Sequence, residues 1–318
     1  MKNWIDFDDA PVFLIPLTDG PGLCEGMLIE GPQGWGEFSP PTDLDAVAAA
    51  RWLTAAIEVG TVGWPDPVRG RVPVAVTVPA VTPERARDIV LGSGCRTASV
   101  TVGTGPEGDT ARLGAVRDAL GTGGAIRCDA HGAWDPDGAA AAVPALVRAA
   151  GGLEFVAQPC PTRDDTAAAR RRLDVPVAAG PLICNAAGPG EGDLSEVADI
   201  AVLTVAALGG VRRALRFAES CGVSCLVGGT RESTIGTAGG LALAGVLPDV
   251  GLAHELAGVA QLRGDLVSGG RSLIPVDGHL PVAPMPPAPD PGQLTRFGAD
   301  PDRVAWWRRR LRAVQQFV

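Results

Sequence analysis

Short runs of apolar, often β-branched residues alternate along the middle of the chain with alanine-rich stretches of helical period. The runs predict strands at Val72–Val78, Thr97–Val102, Ala125–Asp129, Leu153–Ala157, Val175–Ala179, Ile200–Val205, Val223–Val227 and Gly251–His254. Strands separated by helices are typical of a parallel sheet, and their continuous apolar character indicates burial on both faces. Eight such strands, spaced about 25 residues apart, favour a closed barrel over an open sheet.

The stretches between the strands predict the helices of the barrel. They are Pro83–Leu91, Asp109–Leu120, Asp137–Ala150, Asp164–Leu173, Gly210–Cys221 and Ser233–Leu247. Residues 1–70 differ: two strand-like segments, the turn GWGEFSP and a helix over Asp43–Val59 predict a small α+β domain. After the barrel at 71–265, the Pro- and Gly-rich segment 266–318 ends in a helix over Asp300–Val314, and we expect it to pack back on the first domain.

Charge narrows the range of partners. The chain of 318 residues is 46% hydrophobic and carries a net charge of −9. An acidic chain without a basic patch is a poor partner for nucleic acid or an anionic membrane surface. The start MKNWIDFDDAPVFLIPL has acidic residues where a signal peptide has basic ones, and no apolar stretch is as long as a membrane-spanning helix. We expect a cytoplasmic protein, a monomer or weak homo-oligomer, whose partner is a small molecule.

The seven cysteines are scattered and contain no CxxC pair, so they predict no disulfide framework. Most are expected to be small core residues. Cys160 and Cys184 follow predicted strand ends, but a reactive thiolate needs a cationic neighbour to lower its pKa, so a structural role is favoured for both.

Several segments occur in an order and spacing that extend over nearly the whole chain. They are GWGEFSP, RVPVAVTVPAV, RCDAHGAW, LEFVAQPC, RRRLDVPVAA and ADIAVLTVAALGG. These segments resemble the o-succinylbenzoate synthase family of the enolase superfamily, particularly its actinobacterial branch. The resemblance implies an α/β fold, a modified TIM barrel (β/α)₇β with an α+β capping domain built from the N-terminus and the C-terminal tail. It also implies proton abstraction next to a carboxylate, stabilisation of the enediolate on Mg²⁺ and loss of water, a step of menaquinone biosynthesis.

The lysines that the resemblance leads us to expect are missing. Lys2 is the only lysine of the chain, and there is no tyrosine. Ser99 and Thr101 occupy the positions of the lysine pair on the second barrel strand, whose second member is the family's base. Thr204 occupies the position of the lysine opposite that base. A neutral hydroxyl cannot replace an amine base without a partner that activates it.

The metal site that the resemblance implies is also incomplete. Of its three carboxylate positions only Asp129 is retained, and Ala157 and Gly180 stand at the other two. Mg²⁺ prefers near-octahedral oxygen ligation, so Asp129 alone is a poor site. We therefore expect no cofactor and a metal site that does not function.

Three side chains near predicted strand ends are candidates for a rebuilt site: Asp129, His131 and Glu232. Asp129 and His131 are two residues apart and share a face if the strand continues, so they could form a dyad. Alternatively, His131 is a loop residue that replaces the family's asparagine as a hydrogen-bonding group. Glu232 could be a new acid, or it could form an ordinary solvated pair with Arg231.

The expected ligand pocket follows from the same alignment of strands. Gly228, Gly229 and Thr230 take the place of residues that contact the substrate in the family. The expected walls are Val100, Val102, Val156, Leu182 and Val205, which would favour a ligand more apolar than the family's dicarboxylate. Glu154, at an odd offset from position 157, is predicted to face the helices.

Three functions are consistent with this sequence. The first is a non-catalytic relative of o-succinylbenzoate synthase that retains the barrel as a binding or regulatory module. The second is an enzyme with repurposed, metal-independent lyase or isomerase chemistry in the same pocket. The third is the family's own dehydration, carried out by an unusual site. The loss of both lysines and two metal ligands argues against the third, because one general acid or base contributes roughly 10²- to 10⁴-fold in rate.

Overall fold

The chain folds into a barrel with a smaller α+β unit packed against it. The computed structural model describes residues 5, 7–185, 192–282, 285 and 287–318. The strands are β1 Val12–Pro16, β2 Leu23–Gly31, β3 Gly34–Phe38, β4 Arg71–Pro73, β5 Val76–Val78, β6 Thr97–Thr101, β7 Ala125–Asp129, β8 Val156–Ala157, β9 Val177–Ala179, β10 Ile200–Leu203, β11 Ser224–Val227 and β12 His279–Pro281. The α-helices are α1 Ala46–Thr61, α2 Pro83–Ser93, α3 Pro106–Leu120, α4 Pro136–Ala150, α5 Arg163–Arg170, α6 Pro181–Cys184, α7 Val205–Leu208, α8 Val211–Ser220, α9 Thr234–Val246, α10 Pro291–Arg296 and α11 Pro301–Val314. Short 3₁₀ helices cover Gly258–Gln261, Gly269–Arg271 and Gln315–Phe317.

The barrel wall is a seven-stranded parallel sheet in the order β11-β10-β9-β8-β7-β6-β5. A short segment closes it: His254 bridges in parallel to Val74 at one edge, and Glu255 bridges to Gly228 at the other. The predicted strand over Gly251–His254 is therefore present only as isolated bridges. The predicted modified TIM barrel with a capping unit is confirmed.

The predicted strand Val72–Val78 is divided between two sheets. β4 pairs antiparallel with β12, whereas β5 pairs in parallel with β6 and belongs to the barrel. Ala75 lies between the two strands, and its N–H donates to the carbonyl of His254 at 2.8 Å. One apolar run thus serves both the barrel and the C-terminal segment.

Two barrel helices begin with a side-chain cap followed by proline. Thr82 caps α2 and Asp135 caps α4, and the Asp135 carboxylate accepts the N–H of Gly138 at 2.7 Å. Proline at the first helical position loses no hydrogen bond, because that N–H has no partner inside a helix. These caps place the helix starts just after the strand ends, and most helices then pack their apolar faces on the barrel.

The capping unit has its own core. The antiparallel sheet β1-β2-β3 packs with α1 and with the terminal helix α11. Trp307 of α11 is fully buried there, its ring lies edge-on 5.8 Å from Phe38, and its Nε1 donates to Glu25 Oε2 at 3.0 Å. Arg303 also forms an ion pair with Glu25. The end of the chain is thereby attached to its beginning.

Within the described part of the chain, none of the helices combines the length and the apolar character needed to cross a bilayer.

Candidate functional site

Inward-facing side chains at the C-terminal ends of the barrel strands define a site that we call the mouth. The register pairs Thr101 with Asp129, Asp129 with Ala157, and Ala157 with Ala178. Ala157 and Ala178 belong to the apolar cluster that fills the barrel interior. Because side chains alternate along a strand, positions 180 and 204 face inward as well. The sequence-predicted positions of the lysines and of the metal ligands therefore converge at one end of the barrel.

The same alternation corrects the expected pocket walls. Val100, Val102 and Val156 lie in the main core between strands and helices, not in the mouth. Leu182 has an exposed fraction of 53%, and Val205 is buried at the start of α7. The prediction that Val100, Val102 and Val156 line the pocket was wrong, because each of them is one residue away from an inward-facing position.

Asp129 and His131 do lie together. The His131 N–H donates to Asp129 Oδ1 at 2.9 Å, and the His131 Nδ1 lies 3.4 Å from the same oxygen. His131 has left the strand, with φ at 50°, and its side chain is 63% exposed, compared with 18% for Asp129. His131 is thus a loop residue that supplies a backbone hydrogen bond, and its ring is within reach of the carboxylate.

A second carboxylate at the mouth, Glu255, was not found from the sequence. It lies on the segment that closes the barrel, and its side chain is 12% exposed. Burial raises the pKa of Asp129 to about 6; the His131 ring lowers this pKa, and the negative charge of Glu255 raises it further. Glu255 directly follows the predicted strand Gly251–His254, so inspecting that strand end would have identified it.

Arg127 fills the barrel below the mouth. Its fully buried guanidinium donates to the carbonyl of Ala253 at 2.9 Å and lies over the Phe155 ring. It approaches Glu154 Oε2 at 3.0 Å and Glu255 Oε1 at 3.7 Å. Glu154 therefore reaches into the barrel end instead of facing the helices, because its long side chain bends toward the buried cation.

Gln158 occupies the space between two of the predicted metal positions. Its φ of 45° ends β8 and redirects the side chain, which is only 1% exposed. Nε2 donates to the carbonyl of Cys160 at 2.8 Å, and Oε1 has no hydrogen-bond partner among the described residues. A Cβ atom on residue 180 would lie 2.7 Å from Gln158 Oε1 and 2.9 Å from its Cβ. The Gln158 side chain thus occupies the space that the Cβ atom of a metal ligand at position 180 would need.

These residues do not fit Mg²⁺. Ala157 offers no ligand, and Gly180 faces Gln158. In the described ranges, no group of three or more His, Cys, Asp or Glu side chains is arranged to hold a metal ion. Asp129 is the one carboxylate at the three implied ligand positions, and it already accepts a backbone hydrogen bond, whereas Mg²⁺ prefers near-octahedral oxygen ligation.

The family's lysine positions are occupied by uncharged groups in a largely buried setting. Ser99 and Thr204 are buried and Thr101 is partly buried. Thr204 Oγ1 makes no hydrogen bond to any residue that the structure describes. Lys2 lies outside the described residues.

Glu232 lies elsewhere, in the contact between the capping unit and the barrel. It is 8% exposed and lies beside Gly236 at the start of α9, where the Glu37 carboxylate also lies. Burial raises the pKa of Glu232 to about 7. Burial, together with the negative charge of Glu232, raises the pKa of Glu37 to about 8. The prediction of a solvated pair with Arg231 was wrong, because the segment turns Glu232 into this contact. We call the Glu37–Glu232 contact the interdomain carboxyl pair.

Glu37 is held by the first turn of α9. Its Oε2 accepts the N–H groups of Ser233 and Gly236, each at 3.2 Å, and its Oε1 accepts Ser39 Oγ at 2.8 Å. Ser233 Oγ also donates to Oε2. Unpaired N–H groups at a helix start favour a carboxylate, while burial favours the protonated form.

Gly228, Gly229 and Thr230 are only partly associated with the mouth. The N–H of Gly228 donates to the Leu203 carbonyl at 2.9 Å and extends the β10–β11 pairing, and that of Gly229 donates to the Glu255 carbonyl at 2.8 Å and helps to close the barrel. Thr230 lines a cavity of about 540 Å³ beside the capping unit, with Trp52 among its walls. Asp129 and Glu255 are not among the described residues that line this cavity.

All seven cysteines are buried and unpaired in the structure. Burial raises the pKa of Cys160 to about 11 and that of Cys184 to about 12, so neither thiol provides a reactive thiolate at neutral pH.

Comparisons with known proteins cover almost the entire chain. The family described as Enolase C-terminal domain-like matches residues 82–292, and the family described as Enolase N-terminal domain-like matches residues 22–60. An o-succinylbenzoate synthase from Thermobifida fusca is 44% identical over 309 residues, which is 95% of each chain. One from Mycobacterium ulcerans is 41% identical over 294 residues, 91% of this chain and 87% of that protein.

Among solved structures, a muconate lactonizing enzyme from Pseudomonas fluorescens is similar with a TM-score of 0.75. It is 21% identical and covers 93% of this chain and 98% of its own. At that identity the likeness supports the fold alone.

Proposed function

We propose that this chain, which belongs to the o-succinylbenzoate synthase family of the enolase superfamily, uses its barrel to bind a small molecule and has lost Mg²⁺-dependent proton abstraction and dehydration. The make-up of the mouth carries this proposal. Uncharged hydroxyls occupy the positions for which the resemblance implies lysines, and Asp129 is the only retained member of the implied metal set. Gln158 fills part of the space that the set would need.

The size of the missing contributions supports the proposal. A positioned general acid or base contributes roughly 10²- to 10⁴-fold in rate, and a metal ion that stabilises an enediolate contributes several kcal/mol more. Such effects are not additive, but losing both kinds of group removes the main means of stabilising the transition state. Among the described residues of the mouth, the buried guanidinium of Arg127 already interacts with Ala253, Glu154 and Glu255.

Turnover tests this proposal directly. The purified protein is given Mg²⁺ and the substrate of the family's dehydration, with the Thermobifida fusca relative as the active control. We expect no turnover above that of the Asp129→Ala variant of this chain. Turnover that Asp129→Ala abolishes would contradict the proposal.

The pair Asp129 and Glu255 favours a second candidate, metal-independent acid–base chemistry. A carboxyl group whose pKa is raised toward neutrality can act as a general acid or base, and the pKa of Asp129 is raised to about 6. His131 Nδ1 lies 3.4 Å from Asp129 and could exchange a proton with it. A lyase or isomerase activity that persists in a chelator and is lost in both Asp129→Asn and Glu255→Gln would support this candidate over a binding module.

The names of the relatives support the family's own reaction equally well. Proteins 41% and 44% identical to this chain are o-succinylbenzoate synthases. Only the substituted mouth distinguishes a divergent synthase from a barrel without that activity, and the same turnover assay decides between them.

A further inference from the structure

Two of the seven cysteines contact each other at the end of the barrel away from the mouth. Cys221 directly follows α8 and Cys225 is the second residue of β11, so a short turn separates them. Their Sγ atoms lie 3.3 Å apart, and a disulfide requires about 2.05 Å. The turn contains the exposed residues Gly222 and Ser224, and Gly222 has a φ of 75°. The backbone between the two sulfurs is therefore free to adjust as they approach each other.

Cys225 is the sulfur of this pair that a small reagent can reach. Its exposed fraction is 7%, and it lies on the wall of a cavity of about 390 Å³, together with Gly222 and Pro248. Cys221 is fully buried and is not among the described residues that line this cavity. Hydrogen peroxide is little larger than water, so a cavity of this volume admits it.

The contact between the two thiols also favours the reactive form. The hydrogen bond from the Cys225 thiol lowers the pKa of Cys221, and the same bond together with burial raises the pKa of Cys225. The thiolate is the nucleophilic form of cysteine. Since either thiol can be the donor, transfer of the shared proton to Cys221 places the thiolate on Cys225, at the cavity.

We propose that Cys221 and Cys225 form a reversible disulfide, with a peroxide as the oxidant. The Cys225 thiolate attacks one peroxide oxygen and becomes a sulfenic acid, while the O–O bond breaks and the leaving hydroxide is protonated by solvent to water. The Cys221 sulfur then attacks the Cys225 sulfur, the S–O bond breaks, and the leaving hydroxide takes the Cys221 proton as a second water. Two thiols are thereby oxidised to one disulfide, and one peroxide is reduced to two waters. An added thiol reverses the modification by thiol–disulfide exchange.

This modification site is separate from the mouth. The disulfide would join the end of α8 to the start of β11, whereas the mouth lies at the C-terminal ends of the strands. The inference therefore goes beyond the proposed function and does not depend on what the mouth binds.

Peptide mapping of the folded protein after peroxide treatment tests the site. The reduced protein is exposed to dilute hydrogen peroxide, its remaining thiols are alkylated, and a tryptic digest is analysed by mass spectrometry. The tryptic peptide 217–231 contains both cysteines. We expect this peptide to lose two hydrogen atoms and take up no alkyl group, and dithiothreitol to restore both alkylatable thiols.

Cys95 is the internal control for accessibility. Its exposed fraction of 6% is close to that of Cys225, but its sulfur lies 3.8 Å from the Ser93 carbonyl instead of next to a second thiol. We expect the Cys221–Cys225 pair to be oxidised about tenfold or more faster than Cys95, because the pair supplies both a thiolate and a thiol that resolves the sulfenic acid.

Two variants complete the test. Cys225→Ala should abolish the loss of two hydrogen atoms, whereas Cys95→Ala should leave it unchanged. The proposal is overturned if peptide 217–231 keeps both alkylatable thiols while Cys95 is oxidised, if it gains oxygen atoms instead of losing hydrogen, or if the loss requires prior unfolding in urea. The map of the unsubstituted protein is decisive by itself if Cys225→Ala does not fold.

Discussion

At the scale of single residues, Asp129, Glu255 and Gln158 differ in how far the sequence predicts them. Asp129 could be predicted from the sequence because it ends a clear strand at the position where barrel enzymes place functional groups. Glu255 was missed because it lies one residue beyond the predicted strand Gly251–His254. Gln158 could not be predicted, because its inward direction depends on a φ of 45° that no local pattern indicates.

Restoring a carboxylate at position 180 should be unfavourable in this chain. Gly180 has a φ of −92°, which any residue adopts, so the cost of Gly180→Asp comes from contact with Gln158. We expect a loss of roughly 1–3 kcal/mol in the free energy of unfolding, measured by chemical denaturation. Adding Gln158→Ala should recover part of it.

Gly92→Asp is a matched control for this prediction. Gly92 lies on α2, and a Cβ atom there would meet no atom within 4 Å among the described residues. If Gly180→Asp is no more destabilising than Gly92→Asp, Gln158 does not fill the position as described.

At the scale of elements, the sequence predicts the repeated strands and long helices of the barrel well and the one-turn helices poorly. β7 has the predicted bounds Ala125–Asp129, because an apolar run between polar turns is a strong strand signal. The four-residue helices α6 and α7 were missed, since one turn is too short to show a period. The burial of Glu232 was not predicted, because it depends on a contact with Glu37 of the capping unit, which is distant in sequence.

The interdomain carboxyl pair should make stability depend on pH. The pKa of Glu37 is about 8 in the folded protein, against an ordinary value of 4.5, so unfolding releases a proton between these values. The contribution of Glu37 to the free energy of unfolding is fully present below pH 4.5 and is lost as pH rises through about 8. Glu232, with a pKa of about 7, acts in the same direction.

We expect the free energy of unfolding to fall as pH rises from about 5 to 8, by up to about 1.4 kcal/mol per pH unit for each carboxyl group. Denaturant titrations across this range measure the slope. Glu37→Gln, whose side chain stays neutral, should reduce the slope of the free energy of unfolding against pH. Glu30→Gln, an exposed substitution on β2, should leave this slope unchanged. A slope that is equal in all three proteins would show that Glu37 ionises normally.

At the scale of the whole molecule, the terminal helix joins the end of the chain to the capping unit. Trp307 is fully buried against Phe38 and bonded to Glu25. Trp307→Ala should therefore cost about 3–5 kcal/mol in the free energy of unfolding. Phe317→Ala, at a side chain that is 53% exposed, should cost far less. Similar losses in the two variants would mean that α11 contributes little to the stability of the fold.

The fold of this protein follows its family more closely than the residues of the mouth do. The barrel and the capping unit are those of its family, while Ser99, Thr101 and Thr204 stand where the resemblance implies lysines, and Ala157 and Gly180 stand where it implies metal ligands. The fold was predictable because many apolar positions specify it together. The site was less predictable because a few single residues define it.

A calorimetric titration with Mg²⁺ at neutral pH tests the central claim most directly, with the Thermobifida fusca relative as the binding control. Asp129 has no second carboxylate at position 157 or 180, so we predict no heat beyond dilution at millimolar Mg²⁺. Saturable one-to-one binding that is lost in Asp129→Ala would contradict this account of the mouth.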